Sequence, residues 1–263
     1  MKTHLLIIDP QYDFCSPKGS LYVDGARDDM IRLARMIEKG KEKIDAIHVT
    51  LDQHNTIHIA HPVFWKDPHG KHPDPFTIIS LDDLKRNRWV TTKPAMMERA
   101  TLYVKELENR GRYNLCIWPP HCIKYSLGAT IVPQLHEAIQ AWETERFTTL
   151  NVITKGENIW TEHYSAVRAE VPDPDDPTTD INKAFIDILQ QADIIFIAGE
   201  ALSHCVASTV RDISEILGDE NISRLVLLED TTSPVKGFEK LAADFMDEMV
   251  SKEMRVATTR DFI

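Results

Sequence analysis

Asp193-Ile-Ile-Phe-Ile-Ala198, continued by Gly199-Glu-Ala-Leu-Ser-His-Cys205, is the stretch on which the fold reading turns. Its apolar run, bounded by a charge and a glycine, is too short for a free-standing helix. It suits a strand buried on both faces. Residues 204–217 then carry a helical pattern, so strand, tight turn and helix follow one another. The same unit recurs in both directions along the chain. Residues 4–8, 46–51, 149–154, 224–228 and 254–257 read as further strands. Residues 27–43 read as a helix with Met30, Leu33, Ala34 and Ile37 on one face, and 133–145 as a helix that opens on proline. Residues 181–191 and 237–250 are also helical in pattern. Alternating strands and helices predict an α/β fold, a parallel sheet with helices on both faces, here as one domain over 1–263. Sites in such sheets form at the carboxyl ends of the strands.

Two stretches break the alternation. Residues 62–113 begin rich in Pro, His, Asp and Trp and turn helical from about residue 95, which reads as an insertion that caps the site or builds a subunit contact. Residues 168–180 contain Pro172-Asp-Pro-Asp-Asp-Pro177 and read as an acidic loop. Residues 114–118 read as an extended entry into a site.

The chain of 263 residues carries 41 acidic and 30 basic side chains, a net charge of −11, which argues against a nucleic-acid partner. Its four cysteines, Cys15, Cys116, Cys122 and Cys205, form no C-x-x-C pair and are too sparse for a disulfide scaffold. Free thiols in a reducing, cytoplasmic setting are expected. The apolar run at the start ends at Asp9 after a few residues, too short for a signal peptide or a membrane span, so no membrane partner is expected. A homo-oligomer is left open.

Asp9 ends the first strand, where a partly desolvated carboxylate has a raised pKa and suits a general base. Cys205 follows the clearest strand and opens a helix, where the dipole lowers a thiol pKa and backbone N–H groups can hold an oxyanion. Lys155 closes the third strand and can stabilise a thiolate. Each is weak evidence alone. Together they end three separate strands and can converge. Asp52 and His54 alternate in an extended segment and face one side, followed by His58 and His61. His121, in Trp118-Pro-Pro-His121-Cys122, offers a further imidazole. One carboxylate with imidazoles suits a divalent transition metal, zinc first and manganese or iron as alternatives. His72 and His163 read as loop residues.

These blocks resemble the isochorismatase-like cysteine hydrolases, and among them the nicotinamidase (pyrazinamidase) subfamily. The resemblance is carried by Asp9-Pro-Gln-Tyr-Asp-Phe14-Cys15, Gly19-Ser-Leu-Tyr-Val23, Asp52-Gln-His54, Trp118-Pro-Pro-His121-Cys122, Lys155-Gly156, Tyr164-Ser165 and Gly199 through Val206, in the family's order. It covers nearly the whole chain outside about 62–113. It implies a Rossmann-like sheet and a catalytic triad of Asp9, Lys155 and Cys205. It implies Asp52, His54 and His121 as ligands of one divalent metal, with His58 as a fourth contact. It sets Phe14, Trp118 and Tyr164 around a small amide substrate. It also implies a cis peptide at Glu200–Ala201, with the N–H groups of Ala201 and Cys205 as oxyanion hole. The implied reaction converts nicotinamide to nicotinate and ammonia through a thioester. The alternatives are a related cysteine hydrolase of another small amide or ureide, and a non-catalytic ligand-binding relative. The sequence departs from the family pattern in the length of 62–113, the acidic loop, and Glu200, where an apolar residue is usual. Cys205 argues against the vinyl-ether chemistry of a true isochorismatase.

Overall fold

The computed structural model describes residues 1–262. Six strands form one parallel sheet: β1 (Thr3–Ile8), β2 (Ala46–Asp52), β3 (Asn151–Lys155), β4 (Ile194–Gly199), β5 (Leu225–Leu228) and β6 (Arg255–Ala257). Their spatial order is β6-β5-β4-β1-β2-β3. Every residue of β1 and β5 is buried, which is why these strands read as unbroken apolar runs. Helix α1 (Ala26–Gly40) packs on α3 (Pro133–Arg146). Helices α4 (Lys183–Gln190), α5 (Ala207–Leu217) and α6 (Glu239–Ser251) pack on one another. The two groups cover the sheet, as expected. The chain works outward from β1 through β2 to β3, then returns to the other side of β1 for β4. The switch between β1 and β4 opens a crevice at their carboxyl ends.

The expected helix from residue 204 differs in detail. Leu202–Val206 forms a π-helical turn and the α-helix begins only at Ala207. Within 62–113 lie α2 (Met97–Arg110), which stops at Gly111 with φ +68°, and the short helix Leu81–Lys85, capped by Ser80 and Asp83. The extended 114–118 stretch pairs Leu115–Cys116 antiparallel with Ile78–Ile79. The rings of this segment turn mostly inward on it. Trp65 Nε1 donates to the Ile59 carbonyl at 2.6 Å, and Phe64 packs on Trp65 and Trp160. Arg99 of α2 binds Asp173 at 2.5 Å and lies 4.4 Å over the Trp160 ring, so this segment and the acidic loop hold each other. Among the described residues no helix is long and apolar enough to cross a membrane.

Three buried histidines outside any metal cluster make the fold acid-labile. Burial pushes His48 down to about 4, and His163 and His204 down to about 3. Below the unfolded histidine pKa of about 6.5, the unfolded chain takes up protons that these imidazoles refuse. Stability therefore falls as pH drops from about 6.5, each histidine contributing up to about 1.4 kcal/mol per pH unit until its folded pKa is reached. Denaturant melts at pH 7, 6 and 5 check this. A midpoint that holds steady over that range would contradict it.

Candidate active site and metal cluster

Strand register brings the catalytic candidates together. Ile8 pairs with Gly199, so Asp9 lies beside the turn that follows β4. Asp52 pairs with Lys155, so the last residues of β2 and β3 stand side by side. The backbone supports this crowding. A Cβ on Gly199, where φ is +109°, would meet the Ile8 carbonyl oxygen at 2.0 Å. One on Gly156, at φ +81°, would meet Asp52 Oδ1 at 2.3 Å. Asp9 itself is left-handed, with φ +45°, a conformation that Asp tolerates better than most residues.

Lys155 Nζ sits 2.8 Å from Asp9 Oδ2, 3.3 Å from Asp52 Oδ1 and 3.6 Å from Cys205 Sγ. The Thr50 hydroxyl donates to Asp9 Oδ1 at 2.5 Å. All three groups of the Asp9–Lys155–Cys205 set are buried. Burial raises the Asp9 carboxyl, and Lys155 only partly opposes it, so Asp9 is a stronger base than a free carboxylate. Burial would lower the Lys155 ammonium, but Asp52 and Asp9 together lift it well above its ordinary range. The thiol corrects an expectation. Burial pushes Cys205 well up, Lys155 opposes this, and Asp9 and Asp52 add to the rise. Cys205 lies inside a buried π-helical turn among carboxylates, so the dipole of α5 does not decide its state. Its proton has a nearby acceptor in Asp9.

The peptide bond Glu200–Ala201 is cis, and Ala201 lines the same small cavity as Cys205. Phe14, Trp118 and Tyr164 wall that cavity, together with Asp52 and His121. The Phe14 and His121 ring centroids are 5.3 Å apart, and Trp118 Nε1 donates to the Tyr164 hydroxyl at 2.9 Å. None of Phe64, Trp65, Phe76 or Trp89 lines it. Phe76 alone reaches the wall, edge-on to Trp118 at 5.7 Å. A larger hollow between α2 and the acidic loop, bordered by Arg99, Trp160 and Asp175, contains none of the three catalytic candidates.

Asp52, His54 and His121 offer ligand atoms that all lie within 4.8 Å of one another, and so do His54, His58 and His61. His54 Nε2 is 2.9 Å and His121 Nε2 3.6 Å from Asp52 Oδ2. Burial lowers His54, His58 and His61, which leaves them as neutral imidazoles, the ligand form. Both ring nitrogens of His54, Asp52 Oδ1 and His61 Nε2 are buried without a hydrogen-bond partner. Unsatisfied buried groups are costly, and a cation bound by Asp52, His121 and one ring nitrogen of His54 would satisfy part of this set. His58 fits less well as a fourth contact. Its Nδ1 accepts from the Ala60 N–H at 3.2 Å and its Nε2 meets the Thr161 carbonyl at 3.1 Å. His61 leaves Nε2 free and is the better fourth candidate.

His61 follows His58 in the metal-like set read from sequence. Two further residues of the site were not singled out from sequence. Glu162, buried, with Oε1 3.3 Å from His58 Nδ1, had no signal, because the loop after β3 returns to the site only in three dimensions. His204 lines the cavity and stacks on Tyr113 at 5.3 Å.

No protein-family profile matches the chain. It is 25% identical over 256 residues to the nicotinamidase of Saccharomyces cerevisiae, covering 97% of this chain and 99% of that protein. The yeast protein's crystal structure, bound to the inhibitor nicotinaldehyde, matches with a TM-score of 0.69 and 20% identity, over 97% and 99% of the two chains. The nicotinamidase of Escherichia coli is 26% identical over 223 residues, 81% of this chain and 76% of that protein. The pyrazinamidase of Pyrococcus horikoshii, solved in complex with zinc, matches with a TM-score of 0.58 and 20% identity, over 98% and 99% of the chains. The resemblance to the nicotinamidases read from the motifs thus holds along the sequence, and the sheet is theirs in fold.

Proposed function

We propose that this chain is a metal-dependent cysteine amidohydrolase that converts nicotinamide to nicotinate and ammonia. The observation that carries the reading is the contact of Lys155 with both Asp9 and Cys205 at the edge of an aromatic-walled cavity. The nicotinamidase names of the two sequence relatives support the substrate. Asp9 takes the thiol proton of Cys205, and Lys155 holds the thiolate. The thiolate attacks the carboxamide carbon, and the N–H groups of Ala201 and Cys205 bind the oxyanion, each such donor being worth about 3–4 kcal/mol in well-studied hydrolases. Asp9 returns the proton to the leaving ammonia, and a thioester remains. Asp9 then deprotonates the water that releases the acid. Phe14, Trp118 and Tyr164 present flat and edge-on surfaces suited to a heterocyclic ring. A divalent metal held by Asp52, His54 and His121, with His61 beside them, supplies a Lewis-acid contact that orients the substrate. The four cysteines are unpaired, which supports work in a reducing, cytoplasmic setting. Glu200, the departure beside the nucleophile turn, bonds to Ser233 rather than to the nucleophile, which supports the catalytic reading over a non-catalytic one.

Ammonia and nicotinate release from nicotinamide, against a panel of other amides and ureides, tests the substrate. Faster turnover of another amide would replace nicotinamide in this reading. For the metal, elemental analysis of chelator-free protein is expected to give one transition metal per chain. His54→Ala or His121→Ala should weaken its binding by at least about tenfold, as loss of a ligand does. Metal-free protein with full activity would remove the metal from the proposal.

A further inference from the structure

Glu200 is the residue that breaks the family pattern beside the nucleophile turn, and the structure gives it a partner. It is fully buried, and so, within 2%, is Asp29 on α1. Ser233 bridges the two carboxyl groups, its N–H donating to Glu200 and its hydroxyl to Asp29. Glu200 Oε2 accepts from the Ser233 N–H at 3.0 Å, while Oε1 is buried with no donor. Asp29 is differently served. Arg32 pairs with its Oδ1, and the Ser233 hydroxyl donates to its Oδ2 at 2.6 Å. Two carboxylates so close and so dry cannot both ionise. Arg32 and the Ser233 hydroxyl both donate to Asp29, whereas Glu200 Oε1 has no donor and is the oxygen free to carry a proton.

We propose that Glu200 is a positioning residue held as the neutral acid, donating to Asp29 and accepting from Ser233, and that this pair locks the turn bearing Cys205 against α1. The turn has only two further ties to the 233–235 loop. Leu202 N–H donates to the Ser233 carbonyl at 2.9 Å, and Val235 N–H donates to Ser203 Oγ at 3.1 Å. The other groups facing Glu200 are few. Arg32 lies behind Asp29, and the Cys15 thiol, on the turn Tyr12–Cys15, is held neutral by burial. Burial and the nearby Asp29 both raise Glu200, in keeping with a neutral acid. The sign follows. A carboxyl that keeps its proton in the fold contributes stability below the unfolded Glu pKa of about 4.3, and loses it as pH rises through its raised folded pKa.

The inference rests on Cys205 as the nucleophile, but two of its three tests do not use turnover. The infrared difference spectrum of wild type minus Glu200→Gln at pH 7 should show a positive protonated carboxylic C=O band. Melting temperature should fall more between pH 6 and 9 for wild type than for Glu200→Gln, because glutamine donates and accepts in the same places without titrating. In hydrolysis, Glu200→Gln should keep kcat/KM within about threefold at pH 7 and lose part of the alkaline decline, while Glu200→Ala should lose about tenfold, the worth of a net hydrogen bond. Absence of the band difference, or superimposable pH–stability curves, overturns the proposal even if the chain hydrolyses nicotinamide. A chain inactive on nicotinamide that still shows the band and the pH–stability difference leaves the pair standing and overturns only the substrate reading. Equal turnover profiles for wild type and both variants would leave the pair without a positioning role and overturn that part.

Discussion

Cys205→Ala is expected to lower kcat/KM for amide hydrolysis by at least about 10³-fold while the protein remains folded. The size follows from the proposed chemistry. The thiolate forms the covalent intermediate, and no other cysteine is placed to replace it. Cys205 lines the small cavity, which Cys15, Cys116 and Cys122 do not, and Lys155 Nζ lies 3.6 Å from Cys205 Sγ. Alanine in place of Cys205 removes one small sulfur from a cavity wall, so stability should change little. Cys15→Ala, Cys116→Ala and Cys122→Ala should each keep substantial activity. The measurement is steady-state hydrolysis with circular dichroism as the folding control. A Cys205→Ala protein with more than a few per cent of wild-type rate would remove Cys205 as nucleophile.

Lys155→Met should cost both stability and catalysis. The ammonium touches Asp9 and Asp52, both buried, and no other lysine or arginine among the described residues is paired with either. Removing it leaves two carboxylates in one dry space, which for a broken buried pair costs about 3–5 kcal/mol. It also removes the charge that holds the thiolate, so kcat should fall by at least about 10²-fold. The stability loss has a pH signature. Without Lys155, Asp9, already raised by burial, holds its proton more tightly in the fold than unfolded, so the deficit against wild type shrinks as pH falls toward 4 and grows above neutrality. Denaturant unfolding of both proteins at pH 5 and 8 checks it. A variant as stable as wild type at pH 8 would mean that the charges are solvated and the buried triad geometry is wrong.

The segments legible in advance are those whose pattern has a local cause. β1 and β5 are buried throughout and β4 nearly so, and each carries a run of apolar residues. Asp9, Lys155 and Cys205 were readable because each ends or follows such a run, and strand ends in a parallel sheet face one crevice. Other features had no local trace. The 62–113 segment reads as capping the site or building a subunit contact; Trp65 and Phe64 pack on Ile59, Trp160 and each other, and of its rings Phe76 meets the wall. Aromatic residues look the same in a sequence whether they line a lid or fill a core.

The sequence by itself determined the alternation of strands and helices, the residues at the strand ends, and the motifs that resemble nicotinamidases, since these depend on neighbours along the chain. Tertiary structure alone decided the chemistry of those residues. The Asp52–Lys155 register joins the Asp52–His54–His121 cluster to Asp9 and Cys205 through one ammonium. Burial raised the Cys205 thiol, against the helix-terminus argument. The fold also turned Glu200 away from the nucleophile and onto Asp29, some 170 residues earlier in the chain. Each of these is an electrostatic or desolvation effect. Such effects depend on which distant groups share a space from which water is excluded, and sequence spacing does not encode that.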